Sequence, residues 1–224
     1  MKKLMLIAVF AGVATIASAQ FKPEAGQKTL ETKLAPLGGT PLSIDGIRLR
    51  MFNDATTAYR LGLNLNYSNS KSRTGTTADG STELYDKNSA LGISLSPGIE
   101  KHMAGTNRLS PYMGAELNIG FRTTTEVSEF ESTTTANKVE EQTIKGNGGF
   151  FSVGANVVAG ADYYISSKLY MGVELSYGLN LVNSATIKEE TTVAGAPTVK
   201  DQKPGNSFNF SPGVMGQFRI GYAF

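Results

Sequence analysis

Apolar and polar residues alternate with a period of two along most of this chain. The last segment shows the pattern most clearly, because Phe218, Ile220, Tyr222 and Phe224 share one parity, while polar or small residues take the other. Successive side chains of a β-strand point to opposite faces, so this period predicts strands with one apolar face. Eight such segments are predicted, at Lys28–Ala35, Leu42–Phe52, Ala58–Ser68, Ala90–Lys101, Leu109–Arg122, Phe150–Tyr164, Leu169–Val182 and Ser207–Phe224.

The lengths of the segments and of their connections favour a closed barrel. Most segments reach about 10 residues or more, enough to cross a bilayer at a tilt, whereas soluble strands average about five or six. Tight turns at 53–56, 104–107 and 165–167 alternate with long polar links at about 69–89, 123–149 and 183–206 and a shorter loop at Pro36–Pro41. The sequence therefore predicts an all-β, eight-stranded antiparallel transmembrane barrel with short periplasmic turns and longer extracellular loops. A soluble sandwich is the alternative, but it would not sort connections by length.

The amino terminus has the composition of a secretory signal peptide. A basic start, Met1–Lys3, precedes an apolar run at 4–16, and the small residues Ala17–Ala19 follow. We expect cleavage near Ala19/Gln20, since the apolar run is too short to span a membrane. The predicted organisation is a signal peptide at 1–19, a short periplasmic segment at 20–27 and an outer-membrane barrel at 28–224.

Composition disfavours several function classes. The chain has no Cys, which excludes disulfides and a lipoprotein anchor, and one His, which leaves few ligands for a transition metal. Without Lys2 and Lys3 the count of 21 Lys and Arg falls to 19, equal to the 19 Asp and Glu, and no basic cluster suggests nucleic-acid binding. No nucleotide-binding or Gly-x-Ser-x-Gly motif is present. We expect no catalysis, no cofactor and no metal, with His102 as a polar residue at the turn-side rim.

The opposite parity carries charges that would point into the barrel. An eight-stranded barrel is just wide enough for side chains to fill, so these charges must pair. Strand adjacency favours the pairs Arg60 with Glu100 and Glu174 with Arg219. Two interpretations remain, a closed ionic core and a gated polar channel. The predicted interior network comprises Arg48, Arg50, Arg60, Glu100, Glu116, Arg122, Asp162, Glu174 and Arg219, with Glu31 and Lys33 on the first strand.

Two further patterns concern the strands themselves. Outward aromatic residues fall near strand ends, which predicts two girdles at the membrane interfaces. Pro97 and Pro212 each delete a ladder hydrogen bond within a repeated Ser-Pro-Gly, which predicts a bulge or kink. The predicted girdles are Tyr59, Tyr163, Phe218, Tyr222 and Phe224 at the turn end, and Tyr67, Phe121, Phe151, Tyr177, Phe208 and Phe210 at the loop end.

The leader, the terminal Phe strand and the eight alternating strands resemble the small outer-membrane barrels of the OmpA and OmpX type, including OmpW-like barrels. The resemblance implies the outer membrane of a diderm, Gram-negative bacterium. It also implies that Phe218, Ile220, Tyr222 and Phe224 form an insertion signal for the barrel-assembly machinery. Outer-membrane lipid and lipopolysaccharide are then the surroundings. The periplasmic peptidoglycan-binding domain of full OmpA does not follow the barrel, so the resemblance does not extend to a role in tethering the envelope.

Two functions are compatible with these patterns. The first is a structural or surface-interaction barrel with an interior plugged by paired charges. It would act through extracellular loops rich in Thr, Ser, Gly and Asn, which could contact an extracellular ligand or host surface or serve only as a hydrophilic shield. The alternative is a narrow channel or binding barrel for small or hydrophobic solutes, as in OmpW-type relatives. Partner and ligand identity do not follow from the sequence.

Overall fold

The fold is built from antiparallel β-strands, in a computed structural model that describes residues 21–34, 46–193, 196–203 and 206–224. Residues 33–34 and 206–216 are described by their backbone alone. The predicted signal peptide and the Pro36–Pro41 loop lie outside the described residues, as do the side chains of Lys33, Phe208 and Phe210. The strands are β1 Lys28–Leu34, β2 Gly46–Asp54, β3 Thr57–Thr76, β4 Glu83–His102, β5 Leu109–Glu131, β6 Val139–Lys145, β7 Phe150–Tyr164, β8 Leu169–Ser184, β9 Ile187–Val193, β10 Ala196–Gln202 and β11 Asn206–Ala223.

Eight of these strands close into a ring. The order is β1–β2–β3–β4–β5–β7–β8–β11, and the pairing of β11 with β1, for example Tyr222 with Leu30, completes the circle. Every pairing in the ring is antiparallel. The predicted eight-stranded antiparallel barrel is therefore confirmed. Within the described part of the chain, no helix is long and apolar enough to span a membrane.

The outer wall of the ring is an apolar belt. Most side chains of the outward parity predicted from the sequence are large, apolar and exposed, from 37% for Leu63 to 67% for Tyr67. The carboxyl-terminal strand follows the same rule, because Phe218, Tyr222 and Phe224 are exposed while Arg219, Gly221 and Ala223 are buried. On the loop side the belt ends at Tyr67 on β3, Leu91 on β4 and Phe121 on β5.

Beyond the belt, the sheet continues on one side of the barrel. The outer parts of β3, β4 and β5 run past the ring, β5 pairs with β6 there, and β6, β9 and β10 add successive strands. We call this region, residues 69–76, 83–89 and 123–131 with β6, β9 and β10, the sheet extension. It lies within the stretches predicted as long polar links, at about 69–89, 123–149 and 183–206, and much of each of these links is strand. These stretches are rich in Thr, Ser and charged residues, so their strands have no continuous apolar face.

The two Ser-Pro-Gly sequences behave differently. Around Pro212 the ladder between β11 and β8 shifts register between Ser211 and Met215, as the bulge prediction requires. Around Pro97 the register of β4 against β5 is unchanged from Leu95 to Gly98, and only the intervening pairs are missing. A proline lacks the N–H that the ladder needs, so Pro97 interrupts the ladder without adding a residue.

Candidate functional site

A cluster of nine charged side chains fills the half of the lumen nearest the tight turns. Each of the eight ring strands contributes at least one of them, and none is more than 8% exposed. We call this cluster the ionic core. It contains four arginines and five acids: Glu31, Arg48, Arg50, Arg60, Glu100, Glu116, Asp162, Glu174 and Arg219.

Glu174 on β8 is one centre of the ionic core. Its carboxylate accepts hydrogen bonds from Arg60 at 2.9 and 3.0 Å and from Arg48 at 3.2 and 3.1 Å. The hydroxyl of Tyr112 donates to the same carboxylate at 2.6 Å, and the Gln217 amide donates at 3.2 Å. Two guanidinium groups thus share one carboxylate, and that carboxylate also accepts hydrogen bonds from Tyr112 and Gln217.

A second centre lies closer to the turns, around Arg50 on β2. Its guanidinium donates to Asp162 at 2.8 Å and to Glu100 at 3.0 Å, and it also contacts Glu31. Arg219 links the same acids, since it donates to Glu31 at 2.7 Å and to Asp162 at 3.0 Å. Because charged hydrogen bonds are roughly twice as strong as neutral ones, this arrangement offsets the cost of removing the charges from water.

Some contacts of the ionic core cross the lumen, whereas others join neighbouring strands. β3 and β8 lie on opposite sides of the ring, and Arg60 reaches Glu174 across it. The two pairs expected from strand adjacency are both present, but unequal. Arg60 lies 2.7 Å from Glu100, whereas Arg219 lies 3.8 Å from Glu174 and bonds more closely to other acids. The barrel is narrow enough for side chains from opposite walls to meet.

Arg122 does not join the ionic core, which corrects its assignment to the interior network. Its side chain is exposed, and among the described residues it forms no ion pair. Strand β5 reaches the ionic core at Glu116, and Arg122 lies six residues further on, about 20 Å along a strand. Parity alone gives the face of a side chain but not its depth in the barrel.

An aromatic layer separates the ionic core from the tight turns. Tyr112, Tyr164 and Tyr170 are at most 1% exposed, and the rings of Phe52 and Tyr112 each lie 5.2 Å from that of His102. These tyrosines are not among the residues predicted for the interior network. The parity of the sequence nevertheless indicates two of them, since Tyr112 and Tyr170 alternate in step with the inward residues Gly114 and Gly172 of the repeated Tyr-Met-Gly segments.

The position of His102 also corrects the sequence prediction, because it is buried rather than at the rim. Its Nδ1 lies 2.9 Å from the hydroxyl of Ser110, and its Nε2 lies 3.3 Å from Glu100. A Ser–His–acid series occurs in hydrolases. Here Ser110 is only 2% exposed and Glu100 is bound by Arg50 and Arg60, which matches a structural network. No group of three His, Asp or Glu side chains in the described residues is arranged to hold a metal ion.

The segment before β1 covers the turn end of the barrel. The N–H of Phe21 donates to Asn107 in the β4–β5 turn, and Arg108 lies over the Phe21 ring at 4.5 Å. Pro23 is buried, and Gly26 bonds to Phe52 beside β1. Because β1 and β5 lie on opposite sides of the ring, residues 21–27 cross its mouth.

The loop half of the lumen is different in character. Above the ionic core lies a cavity of about 380 Å³, which we call the vestibule. Arg48 and Glu116 contribute to its floor. Its wall is made mostly of small and amide side chains, including Asn64, Ser96, Asn118, Asn156, Ser176 and Asn180. Neutral hydrogen-bonding groups of this kind suit water or a small polar solute rather than a hydrocarbon.

The closed ring, the apolar outer belt and the polar interior define the chain as a small β-barrel of the outer-membrane class. The chain belongs to the putative OmpA–OmpF-like porin family, whose model matches residues 46–190, more than half of its length. No curated protein matches the sequence. Among solved structures, the solution structure of the E. coli outer membrane protein W matches 90% of this chain and 99% of its own, at 16% identity and a TM-score of 0.35. A TM-score this low adds nothing to the fold described above.

Proposed function

We propose that the protein spans the outer membrane as a plugged barrel and acts at the cell surface through its sheet extension, not as a pore. The observation that carries the proposal is the ionic core, to which every ring strand contributes a buried charge. The interior of an eight-stranded barrel is just wide enough for side chains to fill. Because the side chains in the turn half are large, we expect them to close that half of the lumen. The segment at 21–27 adds a second closure at the same end.

Conductance tests the plug. The refolded mature chain, inserted into planar bilayers, should give no steady single-channel currents. A heat-dependent shift in gel mobility would verify that the protein has folded and inserted, so that failed insertion is not mistaken for a closed barrel. Steady currents that change ion selectivity in the Arg60→Ala variant would contradict the proposal and favour a narrow channel.

Single cysteines test the orientation, and the chain offers a clean background because it has no Cys. Thr135, between β5 and β6, and Ser167, in the β7–β8 turn, are both exposed and lie at opposite ends of the molecule. On intact cells, a membrane-impermeant maleimide should label Thr135→Cys but not Ser167→Cys. Labelling of both variants only after the outer membrane is broken would contradict the orientation.

The vestibule favours a second candidate function, the binding of small polar solutes from the outside. Because its wall is polar, polar solutes are better candidates for this cavity than the hydrophobic solutes considered from the sequence. Titration with a monosaccharide should shift the NMR signals of the Asn118 and Asn156 side chains, whereas a detergent-soluble alkane should not. Equal effects of both solutes would remove this candidate and leave the plugged barrel as the sole proposal.

A further inference from the structure

A groove crosses the outer wall of the barrel within the apolar belt. It has a volume of about 630 Å³ and passes over strands β5 and β7, between β4 on one side and β8 on the other. Pro97 and Ile99 border it on β4, and Tyr177 and Leu179 border it on β8. These four residues have the outward parity, so the groove opens on the outer wall and is distinct from the vestibule inside. We call it the lateral groove.

Two alanines at the centre of the lateral groove account for its concave shape. Ala115 on β5 is the register partner of Val157 on β7. Ala155, also on β7, is the partner of Leu117 on β5. Each alanine is too short to cover the larger side chain beside it, so Val157 is 60% exposed, whereas Val153 on the same face of the same strand is 39% exposed. The difference between the two valines reflects open space next to Val157.

An apolar groove holds a hydrocarbon chain by shape and not by hydrophobicity. Lipid tails are as apolar as the belt, so contact between them depends on van der Waals packing. Atoms that line an unfilled space lose their dispersion contacts on that side. A chain lying in the lateral groove contacts its floor and both of its walls, whereas a chain on the convex belt contacts one surface only. The lateral groove should therefore retain a chain longer than the rest of the belt does.

The dimensions of the lateral groove suit one chain and not a protein partner. Neighbouring strands lie about 4.8 Å apart, so four strands span about 14 Å, and successive outward positions on a strand lie about 7 Å apart. The groove thus offers on the order of 100–200 Å² of surface. A stable protein interface needs about 800 Å² from each partner, so the groove alone would not hold a second barrel.

The course of the lateral groove indicates which lipid supplies the chain. On β4 it ends at Ile99, one outward position before Lys101 at the turn-side rim, and on β8 it ends at Leu179, one outward position before Leu181 near the loop-side rim. In the proposed orientation, phospholipid forms the leaflet on the turn side and lipopolysaccharide the leaflet on the loop side. The lipid A part of lipopolysaccharide carries several chains side by side on one sugar head group. A groove that admits one chain is therefore better suited to a two-chain phospholipid.

We propose that the lateral groove is a lipid-binding site that holds one acyl chain of a phospholipid, whose head group lies at the turn-side rim. The inference rests on the proposed function, because it requires the belt to lie in the outer membrane. It adds a site on the outer wall that neither the ionic core nor the vestibule uses.

Leucine substitutions test the site, because they fill space without adding charge. Ala155→Leu fills the lateral groove, whereas the control Ala159→Leu makes the same change on the same face of β7 outside it. The mature protein is transferred from phosphatidylethanolamine nanodiscs into detergent, and native mass spectrometry counts the phospholipids that stay bound. The wild type and the control should each retain one. Ala155→Leu should retain about tenfold less, since it removes roughly ten carbon–carbon contacts. Equal retention by all three proteins, or none by the wild type, would overturn the proposal.

Two further arms separate the alternatives. In nanodiscs that contain lipid A in place of phospholipid, we expect no retained lipid, and retention equal to that of phospholipid would contradict the choice of occupant. A dimer of the wild type that is lost in Ala155→Leu would replace the lipid by a second copy and overturn the proposal. Each variant must show the heat-dependent shift in gel mobility, and Ala115→Leu fills the groove from β5 if Ala155→Leu does not fold.

The maleimide labelling described above separates this inference from the proposed function. A correctly oriented barrel that retains no phospholipid would overturn the lipid site alone. A wrong orientation would contradict the proposed function and, with it, the leaflet that supplies the chain.

Discussion

The two halves of the lumen are lined by the same strands, but they differ in the size and charge of the side chains that point inward. On β8, the inward positions change from Glu174 at the turn half to Ser176, Gly178 and Asn180 at the loop half. The turn half is packed with charges and tyrosines, while the loop half holds an open polar vestibule. In a narrow barrel, large side chains from all walls can converge over one part of the length while the rest of the interior is lined by small side chains.

The meeting of side chains from all walls in the turn half explains why the inward charges are concentrated there and not spread along the lumen. A buried ion is costly unless several partners satisfy it, and Glu174 and Arg50 each have partners on three or more strands. A charge isolated in the loop half would have only small neutral side chains around it. Serine and asparagine side chains there can hydrogen-bond to each other, as Ser96 does with Asn118 at 2.8 Å.

The largest expected effect comes from removing the Glu174 side chain, one of the two centres of the ionic core. Glu174→Ala leaves Arg48 and Arg60 without their shared carboxylate, so the free energy of unfolding should fall by about 3–5 kcal/mol. Urea unfolding in lipid vesicles measures the change. Glu141→Ala, at an exposed acid of the sheet extension, is the control and should stay within about 0.5 kcal/mol of the wild type. A Glu174→Ala barrel as stable as this control would show that the ionic core does not stabilise the fold.

A double-mutant cycle asks whether the turn half acts as one network. Arg60→Ala and Glu100→Ala each break the 2.7 Å contact between them, so the second change should cost less once the first is made. The expected coupling energy is about 0.5–3 kcal/mol, from the same unfolding measurements on the two single variants and the double variant. Strict additivity would mean that the two side chains do not depend on each other.

A matched pair of glycine substitutions compares packing in the two halves directly. A Cβ on Gly221 would overlap the ring of Tyr170, whereas a Cβ on Gly92, beyond the ionic core, would meet nothing nearer than 3.9 Å. Gly221→Ala should therefore destabilise the barrel by about 1–3 kcal/mol and Gly92→Ala by less than about 0.5 kcal/mol. The thermal midpoint in detergent provides the measurement. Equal midpoints for the two variants would contradict the difference in packing.

The smallest expected effect lies outside the lumen, in the β2–β3 turn. Asp54 accepts hydrogen bonds from the N–H and hydroxyl of Thr56, both at 2.7 Å, which hold its pKa well below the ordinary value of 3.8. A lowered pKa contributes stability that is present above about pH 4 and is lost as the pH falls further. The unfolding midpoint of the wild type should thus lie slightly above that of Asp54→Asn at pH 7. The difference between the two midpoints should become smaller at pH 3. A midpoint difference that does not depend on pH would contradict this prediction, because the carboxylate charge would then not be its cause.

The sequence by itself determined the strands, their faces and the identity of most inward charges. Alternation is a local property, because each residue's face follows from its neighbours along the same strand. Eight of the nine residues predicted for the interior network lie in the ionic core, and Glu31, assigned to the interior on parity, completes it. Strands β6, β9 and β10 are not among the eight predicted segments, because their sequences have no continuous apolar face.

Only the tertiary structure decided which charges meet and how deep each one lies. The contact of Arg60 with Glu174 depends on ring closure, which brings opposite walls within reach, and no feature of either strand encodes it. The exclusion of Arg122 depends on the stagger between strands, which sets the depth at which β5 meets the ionic core. Stagger and closure are relations among all eight strands together, so a pattern that is read along one strand at a time does not contain them.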